Sequence, residues 1–478
     1  MEQTAEERRA LGEAALDWVL RYFNRAAVPP LYPSASAEQM RELFVEPLPQ
    51  APEAPHEVLA QFARVAEFSR NNGHPRMFGY VQSSGNFAGA IGDFLASALN
   101  QNVTSWRSAP AATTLELLVI DWIKALVGVD PGAAGVLLGG GSAANAAALT
   151  VALRASSQVD VITQGVAALP APPRIYASAR VHMSIPKAAG LIGLGRDSVR
   201  TVPTRDDGSM DVGELAQLVA ADRAAGWHQV CVVANAGDVN TGAIDPLDEI
   251  ATLCETHGLW LHVDGAYGGF AAAVPSLGQA FAGMTRAHSI ALDPHKWLFA
   301  PVDAGCLLVR EPRHLRAAFV HAASYIDVVA DREMSDFAFW DVSPELSRRF
   351  RALKIWFALK CHGAAAFVNT IERNVALAQQ LGDEIDRSED FERLAPVSLS
   401  IVCFRHAPRR LAGDNEALNA LNRRLMVDLQ RAGNSYLSNV MLAGKFALRA
   451  CIVNHRTTES DIPALLDDLR GAARLDRE

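Results

Sequence analysis

Short apolar segments alternate with amphipathic segments through the middle of the chain. In the amphipathic segments, such as 115–127 and 247–256, apolar residues recur at helical spacing. The apolar segments are compatible with buried strands, and they lie at 135–138, 174–177, 230–234, 259–263, 289–292 and 305–309. Strands that alternate with helices in this way predict an α/β fold with a mostly parallel sheet covered on both faces.

The pattern before this region is different. Residues 1–27 show helical periodicity, with Trp18 and Tyr22 on the apolar face, and a proline-rich stretch follows as far as Pro55. We expect residues 1–84 to form an N-terminal helical arm. Since an amphipathic helix on such an arm would be unstable alone, we expect the arm to dock on another subunit.

The composition changes again after the helical run 350–360. Segments 365–385 and 458–469 have helical patterns, and two apolar segments between them, 398–404 and 446–453, resemble strands. The sequence therefore predicts a large domain over residues 85–362 and a small α+β domain over residues 363–478.

Composition excludes several classes of function. The chain has 478 residues, of which 50% are hydrophobic, and a net charge of -9, which gives no support for nucleic-acid binding. No apolar stretch reaches the roughly 20 residues that a membrane helix needs, and the charged N-terminus does not resemble a signal peptide. The six cysteines form no CxxC pair and lie mostly in apolar surroundings, so we expect reduced thiols, no metal site and a cytoplasmic protein.

The first candidate for chemistry is Lys296, in the segment 292–299 that also contains Trp297 and Phe299. Burying an ammonium group is costly unless its charge is paired or lost. A lysine that has lost its proton is a nucleophile and can form a Schiff base with an aldehyde. The alternative is a lysine that packs its stem on Trp297 and keeps its charged end in water.

A glycine run stands where a predicted strand ends and a helix begins. Gly139, Gly140 and Gly141 follow the segment 135–138, and the next residues open a helical pattern. Glycines let the backbone approach a ligand closely, and the free N–H groups of a helix start bind anions such as phosphate. The run lacks the sequence of a nucleotide P-loop, and a turn without a ligand is the alternative.

Polar residues follow three other predicted strands. Asp264 emerges from an apolar strand, at the end where parallel sheets bind their ligands, and would need a charged or donor partner such as a protonated ring nitrogen. His182 follows the segment 174–177, where an imidazole can stack on an aromatic ring. His295, beside Lys296, is placed to reach a phosphate or the substrate. Structural roles in caps and turns are the alternative for all three.

Glycine loop, histidine, aspartate and lysine stand in an order that resembles the group II pyridoxal-phosphate-dependent amino-acid decarboxylases, to which aromatic L-amino-acid decarboxylase belongs. Similar segments extend over nearly the whole chain. They include His74-Pro75-Arg76-Met77-Phe78-Gly79-Tyr80, Gly140-Gly141-Ser142-Ala143-Ala144-Asn145, His262-Val263-Asp264-Gly265-Ala266-Tyr267, Asp293-Pro294-His295-Lys296-Trp297 and Ser347-Arg348-Arg349-Phe350-Arg351.

The resemblance implies a type I pyridoxal-phosphate fold, an obligate homodimer and the cofactor pyridoxal 5'-phosphate. It implies that Lys296 forms the Schiff base, that Asp264 contacts the pyridine nitrogen of the cofactor and that His182 stacks on the cofactor ring. It also assigns phosphate binding to His295 and to three residues of the segment that opens the helix, which are Gly141, Ser142 and Ala143. The implied reaction is decarboxylation of an L-amino acid to its amine and CO2.

The resemblance places substrate contacts at Tyr80, Ser83, Asn102, Thr104 and Phe337. Family members usually carry a tyrosine, which protonates the carbanion left by CO2, at the position that Phe337 occupies here. In related plant enzymes a phenylalanine accompanies oxidative deamination to an aldehyde with O2. Tyr325 is the alternative proton donor in this chain.

Positions that are aromatic or bulky in the aromatic decarboxylases match Asn72, Val81, Asn102 and Thr104 here, and Arg107 lies close by in the sequence. A pocket with those groups would suit a smaller or acidic side chain. An ion pair at the dimer interface is the alternative role for Arg107. Two alternatives to a decarboxylase stay open: an aminotransferase on the same fold, with Arg449 or Arg456 binding the substrate carboxylate, and a non-enzymatic relic.

Overall fold

The computed structural model describes residues 2–321 and 337–474. The chain forms two compact units. The first contains the residues up to Ser84, Gln380–Leu394 and the residues from Cys403 onward, and the second contains Gly85–Gln379 and Ala395–Val402.

The first unit begins with three helices, α1 (Ala5–Asn24), α2 (Ala37–Phe44) and α3 (Pro55–Glu67). A capping box starts α1, since Thr4 and Glu7 each accept a backbone N–H from the other. The Trp18 and Phe62 rings pack edge to face at 4.8 Å, which joins α1 to α3. None of the three helices has a buried residue.

A seven-stranded sheet forms the centre of the second unit, in the order β1-β7-β6-β5-β4-β2-β3. Its strands are β1 (Ala134–Leu138), β2 (Pro173–Ser178), β3 (Val199–Val202), β4 (His228–Asn235), β5 (Trp260–Gly265), β6 (Ser289–Leu292) and β7 (Gly305–Val309). Strand β7 is antiparallel to both neighbours, and the other pairs are parallel. The predicted mostly parallel sheet is confirmed.

Each strand predicted for this region overlaps a strand of the sheet, but β3 was not predicted. It lies at the sheet edge, and only Val202 of its four residues is buried. An edge strand that buries one side chain has no apolar run to reveal it.

The helices that cover this sheet are α4 (Phe87–Leu99), α5 (Pro110–Val127), α6 (Gly141–Ser156), α7 (Val161–Gln164), α8 (Ser184–Leu191), α9 (Val212–Ala224), α10 (Leu247–His257), α11 (Pro294–Trp297), α12 (Pro312–Phe319), α13 (Ala352–His362) and α14 (Ala364–Arg387), whose last residues belong to the first unit. Helices α5 and α10 confirm the helices predicted at 115–127 and 247–256.

A four-stranded sheet and two helices complete the chain. The strands are β8 (Phe391–Arg393), β9 (Ile401–His406), β10 (Ser438–Leu442) and β11 (Lys445–Cys451), in the order β10-β11-β9-β8, and the helices are α15 (Asn415–Ala432) and α16 (Asp461–Arg474). The segments predicted at 398–404 and 446–453 overlap β9 and β11. Their antiparallel partners β8 and β10 are short or half exposed and were not predicted.

The topology of the large sheet gathers several loops at one edge. Strands β2, β4, β5 and β6 are parallel. Strand β1 has the same direction, because two antiparallel pairings separate it from β6. The carboxyl ends of these five strands therefore meet at the edge where α/β sheets bind their ligands. In the part of the chain that the structure describes, no helix is long and apolar enough to cross a membrane.

Candidate active site

Four loops at this sheet edge carry the residues that the sequence singled out. Asp264 lies near the end of β5, Lys296 lies in α11 directly after β6, and His182 follows β2. The turn from Gly139 to Gly141 joins β1 to α6. The structure brings all four to one edge of the second unit.

Asp264 is nearly buried, with 7% of its surface exposed, and each carboxylate oxygen has a donor. Its Oδ1 accepts the backbone N–H of Ala266 at 3.1 Å, and its Oδ2 accepts the side-chain amide of Asn145 at 2.8 Å. These two bonds fix the plane of the carboxylate. They leave acceptor capacity on Oδ1 for a further donor, since a carboxylate oxygen has two lone pairs.

His182 lies near the carboxylates of Asp264 and Asp293. Burial lowers the pKa of its imidazole, while the charges of Asp264 and Asp293 oppose this shift and the charge of Lys296 adds to it. The ring is therefore neutral at pH 7 and can stack on an aromatic ring without carrying charge.

Lys296 is paired with a carboxylate that the sequence analysis did not consider. Its Nζ lies 2.8 Å from Oδ2 of Asp293, whose side chain is 2% exposed, and Nε2 of His295 lies 3.6 Å from the same oxygen. The other oxygen, Oδ1, has no hydrogen-bond partner among the described residues. A buried carboxylate with one free oxygen calls for a further donor.

His295 has a fixed orientation. Its Nδ1 accepts the backbone N–H of Ala304 at 3.1 Å, so the proton of the neutral ring is on Nε2. Burial lowers the pKa of this imidazole, although the charge of Asp293 opposes the shift. His295 can therefore donate an N–H without being charged.

The turn before α6 tolerates only glycine at its tightest points. Gly140 has φ 126°, and a Cβ placed there would lie 3.2 Å from the His295 ring. A Cβ on Gly141 would lie 2.9 Å from both Ala266 and Asp293, and one on Gly305 would lie 2.5 Å from the backbone of Gly140. No side chain caps the first turn of α6. The backbone N–H groups of Gly141 and Ser142 thus stand at a bare helix start, beside Ala143.

The side chains of Asn102 and Thr104 are engaged in structure. Oδ1 of Asn102 accepts the backbone N–H of Arg348 at 2.8 Å, and the hydroxyl of Thr104 lies 2.8 Å from that of Ser108. Both side-chain oxygens therefore already have a partner within the second unit.

Phe337 lies directly after the undescribed segment. Its carbonyl accepts the N–H of Trp106 at 2.9 Å, and its ring packs edge to face on Phe339 at 4.9 Å. The alternative donor Tyr325 lies outside the described residues.

Tyr80 and Ser83 belong to the first unit. Tyr80 adopts φ 65°, an uncommon conformation for a residue with a side chain, and is 43% exposed. Its hydroxyl lies 3.3 Å from that of Tyr436, and the guanidinium of Arg70 lies 5.0 Å from its ring centre. Ser83 is buried.

The two arginines considered for an aminotransferase have other contacts in the same unit. Nε of Arg449 donates to the hydroxyl of Ser438 at 3.0 Å. The guanidinium of Arg456 lies 5.6 Å from the centre of the Phe23 ring.

Sequence reasoning missed the buried polar residues behind the site. Asn145, His262 and Asp293 are each at most 2% exposed. The sequence did contain a clue to His262, since a polar residue in the otherwise apolar segment 259–263 must find a hydrogen-bond partner. Among the described residues, no group of three or more His, Cys, Asp or Glu side chains is arranged to hold a metal ion.

The residues of this edge fit pyridoxal 5'-phosphate. The bare start of α6 and the Nε2–H of His295 offer donors to the phosphate, and the free acceptor capacity of Asp264 suits a protonated pyridine nitrogen. His182 supplies a neutral ring, and the Lys296 side chain carries an amine of the kind that can bond to an aldehyde carbon. Fold and site together define a pyridoxal-phosphate enzyme of the type I fold.

Comparison with known proteins agrees with this class. Residues 37–407 match the family model described as the pyridoxal-dependent decarboxylase conserved domain. The chain is 33% identical over 474 residues to an aromatic-L-amino-acid decarboxylase from Bacillus atrophaeus, a match that covers 99% of this chain and 97% of that relative. It is 28% identical over 466 residues to a phenylacetaldehyde synthase from Petunia hybrida, covering 94% of this chain and 90% of that protein.

A solved structure of the Oryza sativa enzyme TDC with PLP and tryptamine is also similar. It has a TM-score of 0.91 and 26% identity, and the match covers 100% of both chains. The chain belongs to the pyridoxal-dependent decarboxylase family. It is a carboxy-lyase whose cofactor is pyridoxal 5'-phosphate, as the sequence predicted.

Proposed function

We propose that this enzyme removes the α-carboxyl group of an L-amino acid as CO2 and releases the amine. The observation that carries the proposal is the convergence of Lys296, Asp264 and His182 with the bare start of α6 at one sheet edge. The name of the Bacillus relative, an amino-acid decarboxylase, supports it.

The side chains divide the work. When bound, the cofactor withdraws electrons from the α-carbon and so weakens its bond to the carboxylate. Asp264 holds a proton at the pyridine nitrogen, which sustains that withdrawal, and His182 holds the ring by stacking. Lys296 would provide the amine that anchors the cofactor through its aldehyde carbon. Gly141, Ser142, Ala143 and His295 bind the phosphate.

We propose that Asp293 is the resting partner of Lys296. The 2.8 Å contact keeps the ammonium in the site, and a lysine that bonds to an aldehyde must first give up its proton. The buried Oδ2 of Asp293, which lies next to the amine, is placed to accept that proton.

The experiment that tests the proposal is a substrate panel with product identification. Purified enzyme with added pyridoxal phosphate is given aromatic, small aliphatic and acidic L-amino acids, and CO2 and amine are quantified together. The aromatic relatives support an aromatic substrate, whereas the polar atoms near Asn102, Thr104 and Arg107 support a smaller or acidic one. No CO2 from any member of the panel would contradict the proposal.

The second candidate function is decarboxylation coupled to oxidative deamination. It would convert amino acid, O2 and water to aldehyde, CO2, ammonia and H2O2. The sequence resemblance that matches Phe337 to the family's tyrosine favours it, as does the similarity to the Petunia phenylacetaldehyde synthase.

Phe337→Tyr separates the two functions. Under the proposed function, wild type forms amine and CO2 in equal amounts with no peroxide, and Phe337→Tyr changes the amine yield by less than about twofold, which is 0.4 kcal/mol. Amine, aldehyde and peroxide are measured in air and under nitrogen. Peroxide from wild type that falls in Phe337→Tyr, with a matching rise in amine, would establish the second function instead.

We propose further that the enzyme is a cytoplasmic homodimer whose N-terminal arm, residues 1–84, packs on the partner. The three arm helices bury no residue within their own chain. Helix α4 exposes an apolar face, with Phe94 67% and Leu99 57% exposed, and such a face is typical of an interface. All six cysteines are free thiols, which supports a reducing compartment.

Phe94→Asp is expected to weaken the dimer, because it places a charge in the apolar face of α4. The molar mass measured by light scattering at micromolar concentration should fall from about twice to about once the 51.4 kDa of the chain. Leu191→Asp is the matched control, since Leu191 is 82% exposed on α8 of the same unit. A monomeric wild type would contradict the proposal.

A further inference from the structure

A chain of four buried hydrogen bonds leads from the base of the large sheet to Asp264. Nε1 of Trp260 donates to the hydroxyl of Ser289 at 2.9 Å, and that hydroxyl lies 2.9 Å from Nδ1 of His262. Nε2 of His262 lies 2.9 Å from Oδ1 of Asn145, whose Nδ2 donates to Asp264 at 2.8 Å. All five residues are at most 7% exposed.

The two ends of this chain fix the direction of every proton in it. An indole nitrogen can only donate, and an ionised carboxylate can only accept. A flipped Asn145 amide would turn its carbonyl oxygen toward the Asp264 carboxylate, with no proton between them. The Oδ1 of Asn145 therefore faces His262 and accepts from it.

It follows that His262 carries its proton on Nε2. Its Nδ1 then accepts the proton of the Ser289 hydroxyl, whose oxygen accepts from Trp260. Burial lowers the pKa of His262 to about 4, although the charge of Asp264 opposes this shift, so the ring is neutral at pH 7. Along the chain that begins at Trp260, each N–H or O–H therefore donates to the next residue in the direction of Asp264.

A branch of the same network reaches His182. The second N–H of Asn145 donates to the hydroxyl of Ser184 at 2.8 Å, and this hydroxyl lies 2.9 Å from Nδ1 of His182. The backbone N–H of Ser184 also donates to that Nδ1, at 3.2 Å. Nδ1 of His182 is therefore an acceptor, and the proton of its ring is on Nε2. Asn145 thus joins the two residues that flank the cofactor ring.

We propose that Asn145 and His262 are positioning residues that hold the Asp264 carboxylate in one orientation and hold His182 in its Nε2–H form. With Oδ2 engaged by Asn145 and Oδ1 by Ala266, Asp264 keeps a lone pair on Oδ1 that could accept a proton donor such as the cofactor nitrogen. The inference rests on the role proposed above for Asp264.

The first test reads the proton positions without any change in activity. In wild-type protein free of cofactor, two-bond proton–nitrogen NMR correlations of histidines labelled with ¹⁵N report which ring nitrogen carries hydrogen. The signals of His262 are identified by their loss in His262→Gln. We expect the Nε2–H form at pH 7, and an Nδ1–H form would overturn the proposal even if every variant failed to fold.

The second test measures the affinity for pyridoxal phosphate itself by absorbance titration. Asn145→Leu removes the donor to Asp264, and the loss of a hydrogen bond to a charged group should weaken cofactor binding by about 10- to 100-fold. His262→Leu should have a smaller effect in the same direction. His262→Gln should restore most of that affinity, because the glutamine amide keeps a donor near the position of Nε2.

Asn422→Leu is the matched control. Asn422 is buried in the other unit and also makes three hydrogen bonds, so its loss should lower stability without lowering cofactor affinity. The positioning role is overturned if folded Asn145→Leu binds the cofactor as wild type does, or if Asn422→Leu loses as much affinity. Failure of the proposed function is a separate outcome, since it would appear as no CO2 from any amino acid of the panel, whatever the cofactor affinities of the variants.

Discussion

Lys296→Ala is expected to abolish decarboxylation and the absorbance that arises when the cofactor bonds to the protein. Alanine has no amine to bond to the aldehyde carbon, and α11 contains no other lysine. We expect kcat/KM to fall by roughly 10⁴-fold or more, which is about 5.5 kcal/mol of transition-state stabilisation.

The measurement has two parts. Absorbance spectra of wild type and variant with equal added pyridoxal phosphate report the bond directly. Borohydride reduction, peptide digestion and mass spectrometry then locate the cofactor mass on the Lys296 peptide. Lys360→Ala is the control, because Lys360 is an exposed lysine at the end of α13. A Lys296→Ala enzyme that kept the absorbance and a tenth of the activity would contradict the assignment.

The same variant should also be less stable without cofactor. Removing the Lys296 ammonium leaves the Asp293 carboxylate buried without its ion-pair partner, and such a charge is costly. Lys296→Met combined with Asp293→Asn should recover stability while leaving activity abolished. This double variant separates the chemical loss from the electrostatic one.

The sequence predicted where Asp264 and Lys296 lie better than it predicted the residues that contact them. Their place at one sheet edge was predictable, because the parallel topology brings the carboxyl ends of such strands together. Asn145 and His262 were not, because contacts across 117 and 119 positions of sequence leave no mark in local periodicity. Only the tertiary structure shows which buried polar groups share a network.

The substrate residues were the least predictable part. Asn102 looked like a pocket residue, yet its side-chain oxygen holds the N–H of Arg348, 246 positions away. A polar side chain near a site has several possible partners, and the sequence does not rank them. The domain boundaries and the roles of Tyr80, Ser83, Asn102, Thr104 and Phe337 stay predictions.

Arg348→Met is expected to destabilise the second unit by about 3–5 kcal/mol, because it leaves Glu116 buried without a counter-charge. Both side chains of this ion pair are fully buried. Arg348 also donates to the carbonyls of Val103 and Leu137, at 2.9 and 2.7 Å, and its guanidinium lies 4.0 Å from the centre of the Phe339 ring.

The loss should depend on pH in a defined direction. Burial raises the pKa of Glu116, and Arg348 opposes this shift. An acid whose pKa is raised in the folded state stabilises the fold below its unfolded pKa, about 4.3, and loses that contribution as the pH rises through the folded pKa. Without Arg348 the pKa rises further. The unfolding free energy of the variant should therefore fall more steeply than that of wild type from about pH 4.3 upward.

Arg348→Met combined with Glu116→Leu distinguishes the orphaned charge from lost packing. Replacing both partners of a buried ion pair with apolar residues is often nearly neutral, so the double variant should regain most of the stability and lose the extra pH dependence. Urea unfolding of cofactor-free protein at pH 5 and pH 7.5 measures both. If the double variant were as unstable as Arg348→Met at both pH values, the cost would lie in the lost bonds to Val103 and Leu137. Those bonds would then also hold the end of β1, which leads into the glycine turn. Cofactor affinity should therefore fall alike in both variants.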